Sequence, residues 1–332
     1  MMILFYAGLA HALDHHVVRE GETLARVAAD EGVPVAALRA LNRIPAREEA
    51  PVGTVLLLPG EDGNATAAVV LTVMGPSTAT LPGERAVPLA QTHALPAGTL
   101  VCTEASSYAT LRLATSTKTR GHDEITLLGG TCLTLDSSWS RDTDHASLVS
   151  MRRGSVSVRA ATDGGGAVTV RTDAGVSTSE SGGFRVTVEE GASRTEAIDG
   201  PVAVMGAGEE VELPTGYATR VRKGEAPLAA LRLLAPGVPV RPSERDPLRR
   251  PDFEWTPVDR ALGYRLEISR TEDFSDIVMA ESVGAPPWLP ETLFLPFNGT
   301  GLWWRVASFD RTGFLGPPSE PRRIALPAGM GQ

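Results

Sequence analysis

Short runs of alternating apolar and polar residues fill the middle of this chain, from about residue 68 to residue 223. Two of them are 155–159 (SVSVR) and 168–172 (VTVRT), and Gly, Ser, Thr and Asp separate one run from the next. A period of two is typical of β-strands, because successive side chains of a strand point to opposite faces. Helical periodicity is absent from these runs, so the sequence predicts an all-β region of many short strands.

Helical periodicity occurs earlier, within residues 16–60. Apolar residues recur there every three or four positions in two groups, which are Leu24, Val27 and Ala28, then Val35, Leu38 and Leu41. The apolar pair at 17–18 precedes the first group, and 55–58 (VLLL) follows the second. The sequence therefore predicts the order strand, helix, helix, strand.

This stretch resembles the LysM family. The resemblance rests on Val18, Gly21, Glu22, Thr23, Leu24, Val27, Ala28, Gly32, Val33, Val35, Leu38, Leu41, Asn42, Gly53, Val55, Leu56 and Pro59. LysM modules bind glycans built on N-acetylglucosamine, namely peptidoglycan and chitin, so the resemblance implies that function. The family usually has Asp at the position of Glu22, and Glu is a poorer helix N-cap than Asp. The first loop is therefore expected to differ in detail from the family.

The LysM resemblance implies a shallow groove between two loops. Its binding residues would be Gly21, Glu22, Thr23, Leu24, Asn42, Arg43, Ile44 and Pro45. Loops are where ligand contacts concentrate; their backbone groups can bond an acetamido group, and Ile44 can pack on its methyl. No aromatic residue is present to stack on a sugar, so a single module is expected to bind weakly. Leu24 and Leu41 also suit a purely structural role in packing the two helices.

The order of turn glycines and strands between residues 68 and 234 is similar to that of the FecR domain. The similar pieces are 98–101 (GTLV), 153–158 (RGSVSV), 170–175 (VRTDAG), 184–186 (FRV), 199–204 (DGPVAV) and 208–209. FecR proteins sense a signal in the periplasm and pass it through a membrane helix to a sigma-factor regulator. No stretch of this sequence stays apolar for the roughly 18 residues of a membrane helix. The resemblance thus implies an extracytoplasmic β scaffold, joined to the LysM module by a polar linker at 61–67.

A second β pattern begins at about residue 251. It resembles the fibronectin type III-like domains of bacterial envelope proteins over 251–327, and the similar pieces are 251–255 (PDFEW), 261–268 (ALGYRLEI), 273–274 and 301–310 (GLWWRVASFD). The resemblance implies a sandwich with Trp255, Tyr264 and Trp304 in its core, although such a cluster could also bind a sugar. Trp288 and Trp303 are candidates for exposed contacts. The Pro- and Arg-rich stretch 235–250 is predicted to be a semi-rigid linker.

The charge balance argues against two classes of partner. The chain has 31 Lys and Arg residues against 40 Asp and Glu residues, which gives a net charge of −9, and no segment is basic. Neutralising phosphate groups requires clustered Lys and Arg. The protein is therefore not expected to bind nucleic acid, or to dock on lipid through a polybasic patch.

No catalytic residue, metal site or cofactor is predicted. The HExxH, GxSxG and GxxxxGK[ST] patterns do not occur in the sequence. Cys102 and Cys132 make no CxxC pair; they would form one disulfide in an oxidising compartment and remain two core thiols in the cytosol. A metal site at Asp14, His15 and His16 is the weaker alternative to an exposed start of the module.

The first 12 residues suit a signal peptide. Residues 1–10 are almost all apolar, and 10–12 (AHA) have the small-x-small form of a cleavage site. The segment has no Lys or Arg before its apolar part. A buried N-terminal strand or a misplaced start codon is therefore the alternative.

Together these patterns predict a mainly β, multidomain fold. It comprises a small βααβ LysM module, a FecR-like all-β domain and a small fibronectin type III-like sandwich. The predicted function is that of a non-enzymatic cell-envelope protein, periplasmic or secreted, that binds peptidoglycan and uses its β domains as a scaffold or to contact an envelope protein. Two alternatives stay open: a LysM-targeted cell-wall hydrolase with an unrecognised catalytic site, and a FecR-type sensor that acts with a membrane partner.

Overall fold

The structure is a computed structural model. It describes residues 15–31, 35–42, 44–45, 47–52, 54–57, 67–113, 122–141, 144–161, 166–243, 252–289 and 302–324. The predicted signal peptide at 1–12, residues 61–66 of the predicted linker, and Arg43 of the predicted groove lie outside the described residues.

The N-terminal module has the predicted order of elements. They are β1 (His15–Val17), α1 (Leu24–Asp30), α2 (Val35–Asn42) and β2 (Val55–Leu57), and β1 pairs with β2 in antiparallel fashion. The first predicted stripe and Leu38 of the second supply the core, in which Leu24, Val27 and Leu38 are at most 1% exposed. Val35 of the second stripe is 38% exposed, so its predicted core position is wrong, because it lies in the first turn of α2 on the side facing solvent. Thr23 caps α1, since its Oγ1 accepts a hydrogen bond from the Arg26 N–H at 3.3 Å. Because Thr is a favourable N-cap, Glu22 is not needed for that role.

The middle region is built from strands, most of them short as its alternating runs predict, although β10 has 10 residues and β11 has 17. They are β3 (Ala68–Met74), β4 (Ser77–Thr80), β5 (Ala86–Pro88), β6 (Ala94–Leu95), β7 (Leu100–Thr103), β8 (Tyr108–Leu113), β9 (Glu124–Leu127), β10 (Cys132–Arg141), β11 (Asp144–Ala160), β12 (Gly166–Arg171), β13 (Val176–Ser179), β14 (Gly182–Glu189), β15 (Ala192–Asp199), β16 (Val202–Gly206), β17 (Glu209–Leu213), β18 (Tyr217–Arg222) and β19 (Leu231–Arg232). All of them belong to one hydrogen-bonded network.

The network consists of two sheets that share β11. Sheet 1 has the order β5-β4-β7-β10-β11-β12-β13-β16-β17, and sheet 2 has the order β6-β3-β8-β9-β11-β14-β15-β18-β19. The first part of β11 pairs in sheet 1, and the part from Gly154 to Ala160 pairs in sheet 2. Gly154 has a φ of +90°, and a Cβ there would collide with Thr131. Only glycine accommodates this turn of the strand from one sheet to the other.

The inner faces of the two sheets share a single core. Leu111, Ile125 and Phe184 of sheet 2 and Leu133 and Val168 of sheet 1 are all fully buried in it. The middle region is therefore a β-sandwich in which the alternating runs place one face inside. On sheet 1, a disulfide joins the neighbouring strands β7 and β10 through Cys102 and Cys132.

The C-terminal module has two groups of strands. They are the ribbon β20 (Pro239–Arg241) and β21 (Glu254–Trp255), and the sheet β23-β22-β24-β25, made of β22 (Gly263–Ser269), β23 (Ile277–Val283), β24 (Leu302–Phe309) and β25 (Arg322–Ile324). Trp255, Tyr264 and Trp304 are buried in one core, as predicted. The Trp255 and Tyr264 rings meet edge to face with centroids 5.2 Å apart, a favourable aromatic geometry.

Two tryptophans differ from their predicted exposure. Trp288 is half-buried and packs on Phe253, with ring centroids 5.8 Å apart. Trp303 is half-buried too and packs against a cluster that includes Tyr108 of the middle region. The prediction of exposed contacts at both positions is wrong, because Trp288 packs against the core of its own module and residues of the middle region partly cover Trp303.

The stretch predicted as a spacer, 235–250, contains strand β20, which pairs with β21. The Pro242 carbonyl accepts a hydrogen bond from Nε1 of the buried Trp304 at 3.0 Å. Prolines are compatible with this arrangement because β20 pairs on one side only within the described residues. Residues 239–242 are therefore part of the C-terminal module, and 244–250 lie outside the described residues.

The C-terminal module packs on the outer face of sheet 2. The Tyr108 hydroxyl donates to the Ala280 carbonyl at 3.2 Å and accepts from the Ala280 N–H at 3.1 Å. Next to these two hydrogen bonds, the Tyr108 ring and Leu128 of the middle region form one buried cluster with Phe274 and Ile277 of the C-terminal module. The two β modules are therefore docked through both apolar and polar contacts.

In the part of the chain that the structure describes, no helix combines the length and apolar character needed to cross a membrane.

Candidate functional site

The two loops of the predicted groove lie at the start of α1 and after α2. Gly21, Thr23 and Pro45 are exposed, and Gly21 has a φ of +80°, which favours glycine. Ile44 is half-buried and packs against the module core. Leu24 is 1% exposed, so its side chain has the structural role and only its backbone is part of the loop surface.

Glu22 holds the first loop to strand β1. Its Oε2 accepts a hydrogen bond from the Arg19 N–H at 2.9 Å and lies 2.7 Å from His16 Nε2. The other ring nitrogen of His16 is 3.3 Å from Glu31 Oε1, at the end of α1. The hydrogen bond from His16 is the main cause that lowers the pKa of Glu22. His16 is therefore a half-buried link between two carboxylates rather than the exposed module start that its sequence position suggested.

Glu49 connects the two loops, and sequence reasoning missed it. Its Oε2 accepts the Leu24 N–H at 2.7 Å, and its Oε1 pairs with Arg39 Nη2 at 2.7 Å. Arg39 also donates to the carbonyls of Pro45, at 3.0 Å, and Glu48. The bond from Leu24 is the main cause that lowers the pKa of the Glu49 carboxyl. The signal in the sequence is a basic residue in the last turn of α2, followed by two acidic residues in the next loop.

This geometry makes the start of α1 a site for a hydrogen-bond acceptor. The Leu24 N–H belongs to the first turn, where backbone donors have no partner within the helix. In the structure Glu49 supplies the acceptor oxygen.

Asn42 faces the middle region. Its Nδ2 donates to the Leu38 carbonyl at 2.8 Å, and its Oδ1 accepts from Arg171 Nη1 of β12 at 3.3 Å. Arg171 also pairs with Asp136 at 3.2 Å and donates to Ser150 at 3.1 Å. Asn42 therefore lies in a contact between the N-terminal module and sheet 1, which no local pattern of the sequence indicates.

The described residues contain no group of three or more His, Cys, Asp or Glu side chains arranged to hold a metal ion.

Of the predicted groove residues, Gly21, Thr23, Ile44 and Pro45 are accessible through their side chains or backbone. Glu22, Leu24 and Asn42 have internal partners.

The comparisons with known proteins identify the N-terminal module. Residues 16–59 match the LysM domain family. No curated protein matches the chain. Two crystal structures of a "putative anti-sigma factor" from Parabacteroides distasonis are similar at 17% and 16% identity, each with a TM-score of 0.32. Each similarity covers 40% of this chain and 59% of the other one, so the chain spans less than two thirds of those structures.

Proposed function

We propose that the LysM domain at residues 16–59 binds peptidoglycan or a related N-acetylglucosamine glycan, and that the protein is a non-enzymatic component of the cell envelope. The family match over 16–59 carries the proposal. The βααβ order and the two neighbouring loops support it. The proposed location is the periplasm or the cell exterior, bound to the wall. The Cys102–Cys132 disulfide supports that location, because disulfides persist mainly in oxidising compartments.

The glycan would lie across the loops at the start of α1 and after α2. An N-acetyl methyl group would pack on Ile44, while the acetamido carbonyl would accept the Leu24 N–H in place of Glu49. Gly21, Thr23 and Pro45 are exposed beside this position. Backbone groups and one aliphatic side chain suit weak binding of a polar ligand on an open surface, rather than tight binding in an enclosed pocket.

The two β modules would provide the scaffold or protein contacts. The assignment of residues 68–234 as FecR-like and of 251–327 as fibronectin type III-like rests on the spacing of their turn glycines and strands. The two-sheet sandwich of the middle region and the aromatic core of the C-terminal module are compatible with these assignments. In this proposal neither module carries out a reaction.

A pull-down on purified peptidoglycan sacculi tests the proposal with three variants of the full chain. Ile44→Asp puts a charge where the acetamido methyl would pack, and Pro45→Asp changes an exposed side chain of the same loop. Val52→Asp is the matched control, because Val52 is 65% exposed and lies outside both predicted loop segments. The wild type and Val52→Asp are expected to pellet with sacculi, and the two loop variants to stay soluble with unchanged circular dichroism.

The same assay separates the alternatives. Failure of the wild-type protein to pellet contradicts the proposed function. Release of soluble muropeptides during the incubation contradicts its non-enzymatic part and favours a wall hydrolase. Pelleting that depends on an added membrane protein favours the sensor.

A further inference from the structure

A cavity of about 480 Å³ lies between sheet 2 and the C-terminal module. Its floor is the outer face of β9, β11 and β14, and its roof is formed by β22, β24 and the loop at 274–275. Cavities that hold small organic molecules have volumes of about 300–1,000 Å³ and combine apolar walls with a few polar groups. The size of this cavity fits that class, and none of its lining residues belongs to the LysM domain.

Arg185 is the polar group of the floor that has too few partners. It is 5% exposed, and within the described residues its Nε has no hydrogen-bond partner. Its Nη1 donates one long bond, 3.4 Å, to the Leu315 carbonyl. A guanidinium group has five N–H donors, and a buried charged donor without a partner is costly. The site is therefore incomplete as the protein alone presents it.

Glu196 lies directly opposite Arg185 on β15 and is its nearest carboxylate across the strand pair. Burial raises its pKa, which favours the neutral carboxylic acid. Its Oε1 accepts a 3.4 Å bond from the Leu315 N–H, and its Oε2 has no partner among the described residues. The hydrogen bonds of the Arg185 and Glu196 side chains both go to the Leu315 backbone, and none joins the two side chains in the part of the chain that the structure describes.

Glu267 is committed to other arginines. Its Oε2 pairs with Arg305 Nη2 at 2.7 Å, and its Oε1 lies 3.3 Å from Arg265 Nε. Burial by itself would raise the pKa of Glu267, but the charges of Arg305, Arg265 and Arg185 lower it to about 2. One carboxylate therefore faces three guanidinium groups, and its hydrogen bonds go to Arg305 and Arg265 rather than to Arg185.

Two further carboxylates belong to the lining, and neither neutralises Arg185. Glu124 pairs with Arg159 at 3.3 Å and with Arg112 at 3.8 Å. Asp199 is exposed to solvent. Arg185 therefore remains the cation of the buried end whose Nε has no hydrogen-bond partner among the described residues.

One part of the cavity wall is apolar. Leu128, Phe274 and Ile277 are buried and line it. The guanidinium carbon of Arg305 stacks 3.9 Å from the centre of the Phe274 ring, which fixes both side chains. Gly183, two positions before Arg185 on the same face of β14, has no side chain to fill the space.

We infer that this cavity is a binding site for a small organic anion. The carboxylate of the ligand pairs with Arg185, which provides parallel N–H donors of the geometry that a carboxylate accepts. The apolar part of the ligand lies against Leu128, Phe274 and Ile277. The inference is independent of glycan binding by the LysM domain.

Ligand-observed fluorine NMR on the full chain tests the inference with a matched pair of probes, a fluorobenzoate and the corresponding fluorobenzamide. The two have nearly the same size and ring, and only the first is an anion. Arg185→Met removes the proposed partner of the carboxylate. Arg232→Met is the matched control, since Arg232 is exposed on β19 and does not line the cavity.

Gly183→Leu gives a second route that leaves Arg185 in place. A Cβ at this position would have the Val158 carbonyl oxygen at 3.6 Å as its nearest neighbour, which is an ordinary contact. The larger leucine side chain enters the cavity and fills it. Thermal melting shows separately whether Arg185→Met folds. If it does not fold, Gly183→Leu still tests the inference.

Fluorobenzoate is expected to bind the wild type and Arg232→Met. Its affinity is expected to fall at least about tenfold in Arg185→Met, because a charge-assisted bidentate contact is lost and tenfold corresponds to about 1.4 kcal/mol. A similar fall is expected in Gly183→Leu, because the leucine side chain occupies space that the ligand needs. Fluorobenzamide is expected to bind the wild type about tenfold more weakly than fluorobenzoate for the same reason. Equal binding of the two probes, unchanged fluorobenzoate binding by both cavity variants, or no binding of fluorobenzoate to the wild type overturns the inference.

Discussion

Arginine–carboxylate contacts organise both the LysM domain and the junction of the two β modules, but at different depths. In the LysM domain, Arg39 pairs with Glu49, whose side chain is 51% exposed. At the junction, Arg305 and Arg265 pair with Glu267, whose side chain is 6% exposed. Water and salt screen the first pair and have little access to the second. The same residue types therefore form an exposed, screened pair in one region and a buried group of ion pairs within the C-terminal module in the other.

The largest effect is expected from Glu267→Gln. This change leaves Arg265 and Arg305 near the junction without their carboxylate, and removing one partner of a buried pair costs about 3–5 kcal/mol. Chemical denaturation of the full chain, followed by tryptophan fluorescence of the C-terminal module, measures the loss. Glu281→Gln on the exposed part of β23 is the control. A loss no larger than that of the control would show that the depth of the pair is irrelevant.

The second largest effect is a pH dependence that belongs to Glu267. The pKa of the Glu267 carboxyl is about 2 in the folded protein, against an ordinary value of 4.5, so folding favours its ionised form. Its contribution to stability is therefore complete above about pH 4.5 and is lost as the pH falls toward 2. Melting temperatures of the wild type and Glu267→Gln should converge over this range. A gap that stays constant contradicts the role of the Glu267 charge.

A smaller effect is expected from Thr23→Ala, which removes the N-cap of α1. The Thr23 hydroxyl accepts from the Arg26 N–H, and loss of such a cap costs about 1 kcal/mol. Hydrogen exchange of the α1 amides should speed up, while amides of the C-terminal module keep their rates. Thr23→Ser retains the oxygen and should restore most of the protection. Equal protection of the α1 amides in Thr23→Ala and Thr23→Ser would show that the Thr23 hydroxyl does not stabilise the helix.

The smallest effect is expected from Glu49→Gln. The substitution keeps an oxygen for the Leu24 N–H and removes the charge opposite Arg39. We expect a slight decrease in the melting temperature of the LysM domain that disappears at high salt, because exposed pairs are screened. The effect of Glu267→Gln should persist at the same salt concentration. An effect of Glu49→Gln that does not depend on salt would contradict the stated difference between the exposed pair of the LysM domain and the buried pairs of Glu267.

Local patterns in the sequence predicted the elements better than their partners. The apolar stripes gave helices close to those at 24–30 and 35–42, and the alternating run at 155–159 lies within the longer strand β11. The buried positions of Trp255 and Trp304 followed from the fibronectin type III resemblance. The half-buried position of Trp303 was not predicted, because the residues that cover it belong to the middle region.

The candidate sites show the same limit. Thr23 and Ile44 could be placed on loops from the LysM resemblance, whereas the link from Glu49 to Leu24 spans 25 residues and depends on how the helices pack. No sequence signal marked Arg185, which reads as an ordinary outward residue of an alternating strand. Its burial comes from Leu315 and Glu267, which lie on a different module.

The sequence by itself determined the strand and helix periods, the LysM domain and the residues of each module's core, because these depend on neighbours within a few positions of the chain. Only the tertiary structure decided which outer face is covered. Tyr108 and Ala280 are 172 residues apart, and Arg159 and Asp273 are 114 apart. An outward side chain of a strand has the same local pattern whether it meets water or another module, so its burial, charge state and partners are properties of the docked structure.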